Sequence, residues 1–110
     1  MSLPTDIRAI GAALYFLPVH TRMPLKFGGE TVTYVTCARC RVTAQDRDGR
    51  TAEGWGETPL SVTWVWPSAL GYEARHEAMK SFCETLAEAW AGFEMFGHPM
   101  EVGQDFIDDI

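Results

Sequence analysis

Basic residues are scarce in this chain. Nine Lys and Arg stand against 15 Asp and Glu, for a formal net charge of −6 and a pI near 4.9. The nine are scattered as Arg8, Arg22, Lys26, Arg39, Arg41, Arg47, Arg50, Arg75 and Lys80. Nucleic acid and anionic membrane surfaces are bound by clustered cations, so neither is an expected partner. No apolar run approaches the ~20 residues of a membrane span. The best candidate, 10–19, is broken by Gly11 and Pro18. It is no secretory leader either, since only Arg8 precedes it and no small-residue cleavage site follows. Cysteine is limited to Cys37, Cys40 and Cys83. An odd count without a leader points to reduced thiols and a cytoplasmic protein. Low-complexity segments are also missing, which argues against disorder.

What the sequence does have is the composition of one small globular domain: 110 residues, 46% hydrophobic and 22% charged. Residues 1–5 read as a tag or disordered start. The apolar stretch 7–17, closed by Pro18, predicts a first strand, and 20–29, with Pro24 and Gly28-Gly29, predicts a loop. Residues 31–45 predict a second strand. Val32, Tyr34, Thr36, Ala38, Cys40 and Val42 share the more apolar parity, and Arg39 and Arg41 share the other. Asp46-Arg47-Asp48-Gly49 is a turn sequence, and 51–57 returns as a third strand.

Residues 58–70 form an apolar loop with Pro59, Trp64, Trp66 and Pro67. Residues 72–93 predict an amphipathic helix striped by Met79, Phe82, Cys83, Leu86, Trp90 and Phe93. A stripe facing a core gives Leu86→Ala an expected cost of about 2–5 kcal/mol. After Gly97-His98-Pro99, residues 100–110 open a further helix that lacks a closing cap, so the end reads as a cut. The expected class is α+β. A three-stranded antiparallel meander (6–57) leads through an apolar loop (58–70) to helices (71–110), as one domain over 1–110.

Few constellations carry chemistry. Cys37 and Cys40, three apart on a strand, point to opposite faces and read as two small strand residues rather than a metal or redox pair. Cys83 reads as core. His76, near Glu73, Glu77 and Lys80, reads as a solvated histidine, and His98 as a turn or capping residue. His20 is the histidine of most interest, because it lies in the first loop. Asp105, Asp108 and Asp109 make a solvated acidic face, and no nucleophile–base set is legible.

Four segments in order carry a family resemblance: Lys26-Phe27-Gly28-Gly29-Glu30-Thr31, then Val35-Thr36; Ala52-Glu53-Gly54-Trp55-Gly56-Glu57-Thr58-Pro59-Leu60; and Gly97-His98-Pro99. They resemble the N-terminal capping domain of the enolase superfamily, of the mandelate racemase and muconate lactonizing type, over about 7–110. The resemblance implies an isomerase or lyase parent that abstracts a proton α to a carboxylate. Its Mg²⁺ and bases would reside in a (β/α)8 barrel, a partner domain of about 250 residues. This chain would hold neither metal nor catalytic residue and would be inactive alone. It would shape the substrate pocket with two loops, carried by His20, Arg22, Lys26, Phe27 and Gly28 and by Glu57, Thr58, Leu60 and Trp64. Lys26 would meet an anionic substrate and Phe27 would wall the pocket. The plainer alternative is a solvent lysine and a buried strand-entry phenylalanine.

The rival reading is a freestanding interaction module that presents the Trp64/Trp66 loop to a protein partner. Without its barrel, the chain would expose Val62, Trp64, Val65, Trp66, Phe106, Ile107 and Ile110, and such a patch predicts a homo-oligomer.

Overall fold

The computed structural model describes residues 3–27 and 30–110. Strands β1 (Ile7–Phe27), β2 (Glu30–Asp46) and β3 (Thr51–Pro59) form one antiparallel sheet in the order β1-β2-β3. Helices α1 (Val62–Val65), α2 (Tyr72–Ala91) and α3 (Pro99–Asp109) follow. The class is α+β, with no barrel among the described residues. No described helix is long and apolar enough to cross a membrane.

β1 is longer than its sequence predicts. The expected loop 20–29 is strand as far as Phe27, and Leu25, Lys26 and Phe27 pair with Val32, Thr31 and Glu30. Gly28 and Gly29 lie outside the described residues. Pro18 and Pro24 are tolerated because β1 is an edge strand, where a missing N–H breaks no necessary ladder bond. Two irregularities shape β1. Ile10 is an extra residue between the pairs Ala9–Ala44 and Gly11–Thr43. That bulge switches the inward parity from odd to even, so Ala9 and then Ala12, Leu14 and Phe16 share a face. Further on, Thr21–Pro24 stand opposite Thr33 alone, which loosens the ribbon before its tip. Before β1, Leu3 N–H donates to Asp6 Oδ2 (2.8 Å) and Asp6 N–H to Leu3 O (3.0 Å).

The β2–β3 turn matches its sequence signature. Gly49 has φ +84°, a conformation that glycine adopts without steric cost. Asp46 Oδ1 accepts the Asp48 and Arg50 N–H groups, both at 2.9 Å. Segment 58–70 is not the continuous loop expected. β3 runs on to Pro59, and Leu60 N–H donates to Thr36 O (2.8 Å), extending the strand contact by one bond. One helical turn, α1, then buries Leu60 and Val62. The proline brackets at 59 and 67 leave room for no more.

The core is small: Ala9, Ala38, Leu60, Val62, Val102 and Phe106. Phe106 of α3 stacks on Trp90 of α2 at 3.9 Å and meets Phe93 edge-on at 5.4 Å. Ile7 and Gly97 exchange backbone hydrogen bonds of 2.9 and 3.0 Å, pinning the α2–α3 turn to the edge of β1. Three expectations for the helices fail. Phe82, assigned to the buried stripe, is 58% exposed, because α2 leans over β1 and turns that position outward. His76, expected in solvent, is buried at 9% exposure, because the first turns of α2 pack on α1. Val62 and Phe106, placed in the exposed patch, are buried in the chain's own core. Trp64, Val65, Ile107 and Ile110 remain exposed.

Candidate functional site

One end of the sheet gathers most of the residues that could contact a partner. There β1 and β2 run on as an arm past the end of β3, and Leu60, just before α1, is fastened to Thr36. His20 and Tyr34 are cross-strand partners with ring centroids 5.4 Å apart. The Tyr34 and Thr36 hydroxyls are 3.1 Å apart on the same face of β2. From α2, Tyr72 stacks on His76 at 5.8 Å. Arg75 is buried, and its guanidinium donates to Trp66 O at 2.6 Å, tying the chain after α1 to α2. Desolvation raises the Tyr72 pKa above the ordinary phenol value. Glu73 and Tyr34 add to the rise and Arg75 opposes it, so the phenol stays neutral at physiological pH. Arg75 Nε and His76 Nε2 are buried without a hydrogen-bond partner among the described residues.

The residues singled out from sequence fall at two levels around this end. His20, Arg22 and Lys26 are exposed along the arm, with Lys26 opposite Thr31. Phe27 ends β1 opposite Glu30, and Gly28 lies outside the described residues. Trp64 is 76% exposed on α1. Leu60 is buried and belongs to the packing beneath α1 rather than to a surface loop. Thr58 sits opposite Ala38. Glu57 lies on the sheet, opposite Arg39, and their side chains form an ion pair of 3.1 Å. His20, Arg22 and Lys26 therefore lie along the arm and Trp64 on α1, while Glu57 is drawn off by its cross-strand arginine.

Sequence reasoning missed Tyr34, Tyr72, Arg75 and His76 as a group. The only signal for them was the low-key aromatic and cationic content of two segments that meet in space alone. His98 fulfils its expected capping role: its Nδ1 accepts the Met100 N–H at 3.2 Å, at the start of α3.

Among the described residues no carboxylate hydrogen-bonds His20, His76 or His98, and no group of three or more His, Cys, Asp or Glu is placed to hold a metal ion. Cys37, Cys40 and Cys83 are all free thiols. Cys37 pairs with Leu17 and Cys40 with Leu14, on opposite faces of β2. No family model, no curated protein and no solved structure matches this chain.

Proposed function

We propose that the chain is the substrate-capping N-terminal domain of an enolase-superfamily enzyme of the mandelate racemase or muconate lactonizing type. Catalysis belongs to a partner (β/α)8 barrel. There, Mg²⁺ held by barrel carboxylates would stabilise the enolate formed when a base removes the proton α to a carboxylate. This chain's part is to close the pocket and choose the substrate, in a cytoplasmic isomerase or lyase. It is inactive alone.

One observation carries the reading. The two segments that the family resemblance assigns to capping lie far apart in sequence, yet one residue of the second is fastened to the foot of the arm that bears the first. Leu60 is fastened to Thr36 at the foot of the arm that bears His20, Arg22 and Lys26. The meander-then-helices order supports the same reading.

The test is the source reading frame downstream of Ile110. The reading expects βα repeats with acidic residues at strand ends, and a stop codon directly after Ile110 overturns it. The exposed Trp64 and Val65 favour a second reading, an interaction module that works without a barrel. A stop codon there, together with a protein partner released by Trp64→Ala, would establish it instead.

A further inference from the structure

Two of the three thiols meet between the sheet and α2. Lys80 of α2 sits 5.3 Å over the Phe16 ring of β1, and Phe16 pairs with Ala38 of β2. Three residues on in α2 is Cys83, about 4.5 Å along the helix. Two residues on in β2 is Cys40, about 6.6 Å along the strand and on the same face as Ala38. The two elements advance together. Tyr72, at the start of α2, is close enough to Tyr34 for the two phenols to interact electrostatically. Trp90, near the helix end, lines an open groove with Val42 and Ala44. Cys40 and Cys83 therefore stand at one level, and both line that groove of about 590 Å³ between β3 and α2.

Electrostatics agrees with that placement. Burial pushes the Cys40 thiol up. Burial also pushes the Cys83 thiol up, and Cys40 and then Glu84 add to the rise, so the two sulfurs lie within electrostatic reach of each other. Raised pKa values keep both thiols protonated and slow to react at neutral pH, which makes the open, reduced pair the resting form. Nearness that opposes a second thiolate favours a bond between the sulfurs once one of them is oxidised. A reagent has room to enter from the strand side. Gly56 of β3 pairs with Cys40, and a Cβ there would meet nothing within 4 Å.

We propose that Cys40 and Cys83 form a redox latch, which a low-molecular-weight disulfide closes into a covalent bond between β2 and α2. One protein thiolate attacks a sulfur of the small disulfide and expels one thiolate, leaving a mixed disulfide. The other protein thiolate then attacks the protein-bound sulfur and expels the second. The pair loses two electrons and two protons, and the small disulfide is reduced to two thiols. Closure pins α2 to the sheet, and the first turns of that helix carry Tyr72, Arg75 and His76. A reducing thiol reopens the latch. This does not rest on the capping-domain reading.

The experiment oxidises the whole chain with glutathione disulfide, at low protein concentration and at alkaline pH, where the raised thiols ionise. Peptide mapping under non-reducing conditions should find the Cys40 and Cys83 peptides linked, lighter by two hydrogens than their reduced sum. Cys37, on the other face of β2, should stay outside the bridge. Cys37→Ala should keep the link, and Cys40→Ala and Cys83→Ala should each abolish it. Closing so long a loop should raise the thermal unfolding midpoint by about 10 °C, and a reducing thiol should return it to its starting value. Thiols that stay unchanged, glutathione that remains on Cys40 or Cys83 without resolving, a bridge to Cys37 or a bridge between two chains each overturn the proposal. So does a Cys40–Cys83 bridge with no rise in midpoint, which would mean that α2 leaves the sheet to make it.

Discussion

On the outer face of the sheet, Tyr15, Arg39, Arg41, Glu53, Trp55 and Glu57 partner one another across strands. On the inner face, Ala38, Cys40 and Val42 look toward a helix that covers only part of them. The outer pairs are local exchanges. Arg39 meets Glu57 at 3.1 Å, Tyr15 stacks on Trp55 at 6.0 Å, and the Arg41 guanidinium lies 5.9 Å from the Trp55 ring. Arg41 and Glu53, at 4.0 Å, make an ion pair without a hydrogen bond. Each such pair contributes about 0.2–1 kcal/mol, and together they need no further layer. The inner face works by burial, which neighbouring strands cannot provide for each other. It is finished only where α3 closes over Trp90 and Phe93. A polar sheet face can be completed within the sheet, whereas an apolar one requires a second layer.

The largest expected effect tests where that layer is complete. Phe106 is 5% exposed and stacked on Trp90, so Phe106→Ala should cost about 3–5 kcal/mol in urea denaturation. Leu86 is half-buried at the groove edge, so Leu86→Ala should cost only about 1 kcal/mol, below the core-truncation cost its place in the stripe implies. Similar losses for the two would mean that the groove is filled in solution.

Arg75 is the next test, because it ties the chain after α1 to α2. Arg75→Met keeps the apolar stem but removes the charged donor to Trp66 O, and should cost about 1–2 kcal/mol. Proteolysis within 60–70 should also quicken. A neutral result would mean that releasing the orphaned Nε offsets the lost bond.

These contrasts also explain what the sequence made legible. β2, its turn, β3 and α3 follow from local signals: strict alternation, Asp-Gly, and His98-Pro99. The full length of β1 does not. Prolines 18 and 24 read as breakers unless one knows that the strand is at an edge, and the Ile10 bulge blurs the alternation by shifting its parity. The burial of His76 comes from α1 packing against α2, and α1 is a single turn between two prolines with no periodicity to detect. At the candidate site, His20 and Trp64 stand out as unusual loop residues. Arg75 and Tyr72 looked like an ordinary helix start and acquire meaning only through Trp66 and Tyr34.

A smaller effect probes the outer face. Trp55 is largely exposed, and its ring touches Tyr15 and Arg41. Trp55→Ala should cost about 0.5–1.5 kcal/mol by thermal unfolding. A loss as large as that of Phe106→Ala would show that the outer face is itself covered, and the contrast between the faces would fail.

The smallest effect lies at the turn that joins β2 to β3, and it is one of pH. Desolvation pulls the Asp46 carboxyl up. The Arg50 and Asp48 N–H groups and the Arg50 guanidinium, whose Nε is 2.8 Å from Oδ2, outweigh it and hold the pKa below the ordinary aspartate value. A carboxyl with a depressed folded pKa stabilises the fold fully above its unfolded value, about 3.9, and loses that contribution as pH falls through the lower folded value. The turn should therefore be indifferent to pH through the neutral range and weaken only in acid. Carbon-detected NMR titration of Asp46 should give a midpoint below that of an ordinary aspartate. Asp46→Asn should be less stable than the parent at pH 7, with the gap closing in acid below the folded pKa. A midpoint at or above the ordinary value would mean that the Asp46–Arg50 network does not form in solution, and the outer face would lose the anchor that sets the β2–β3 register.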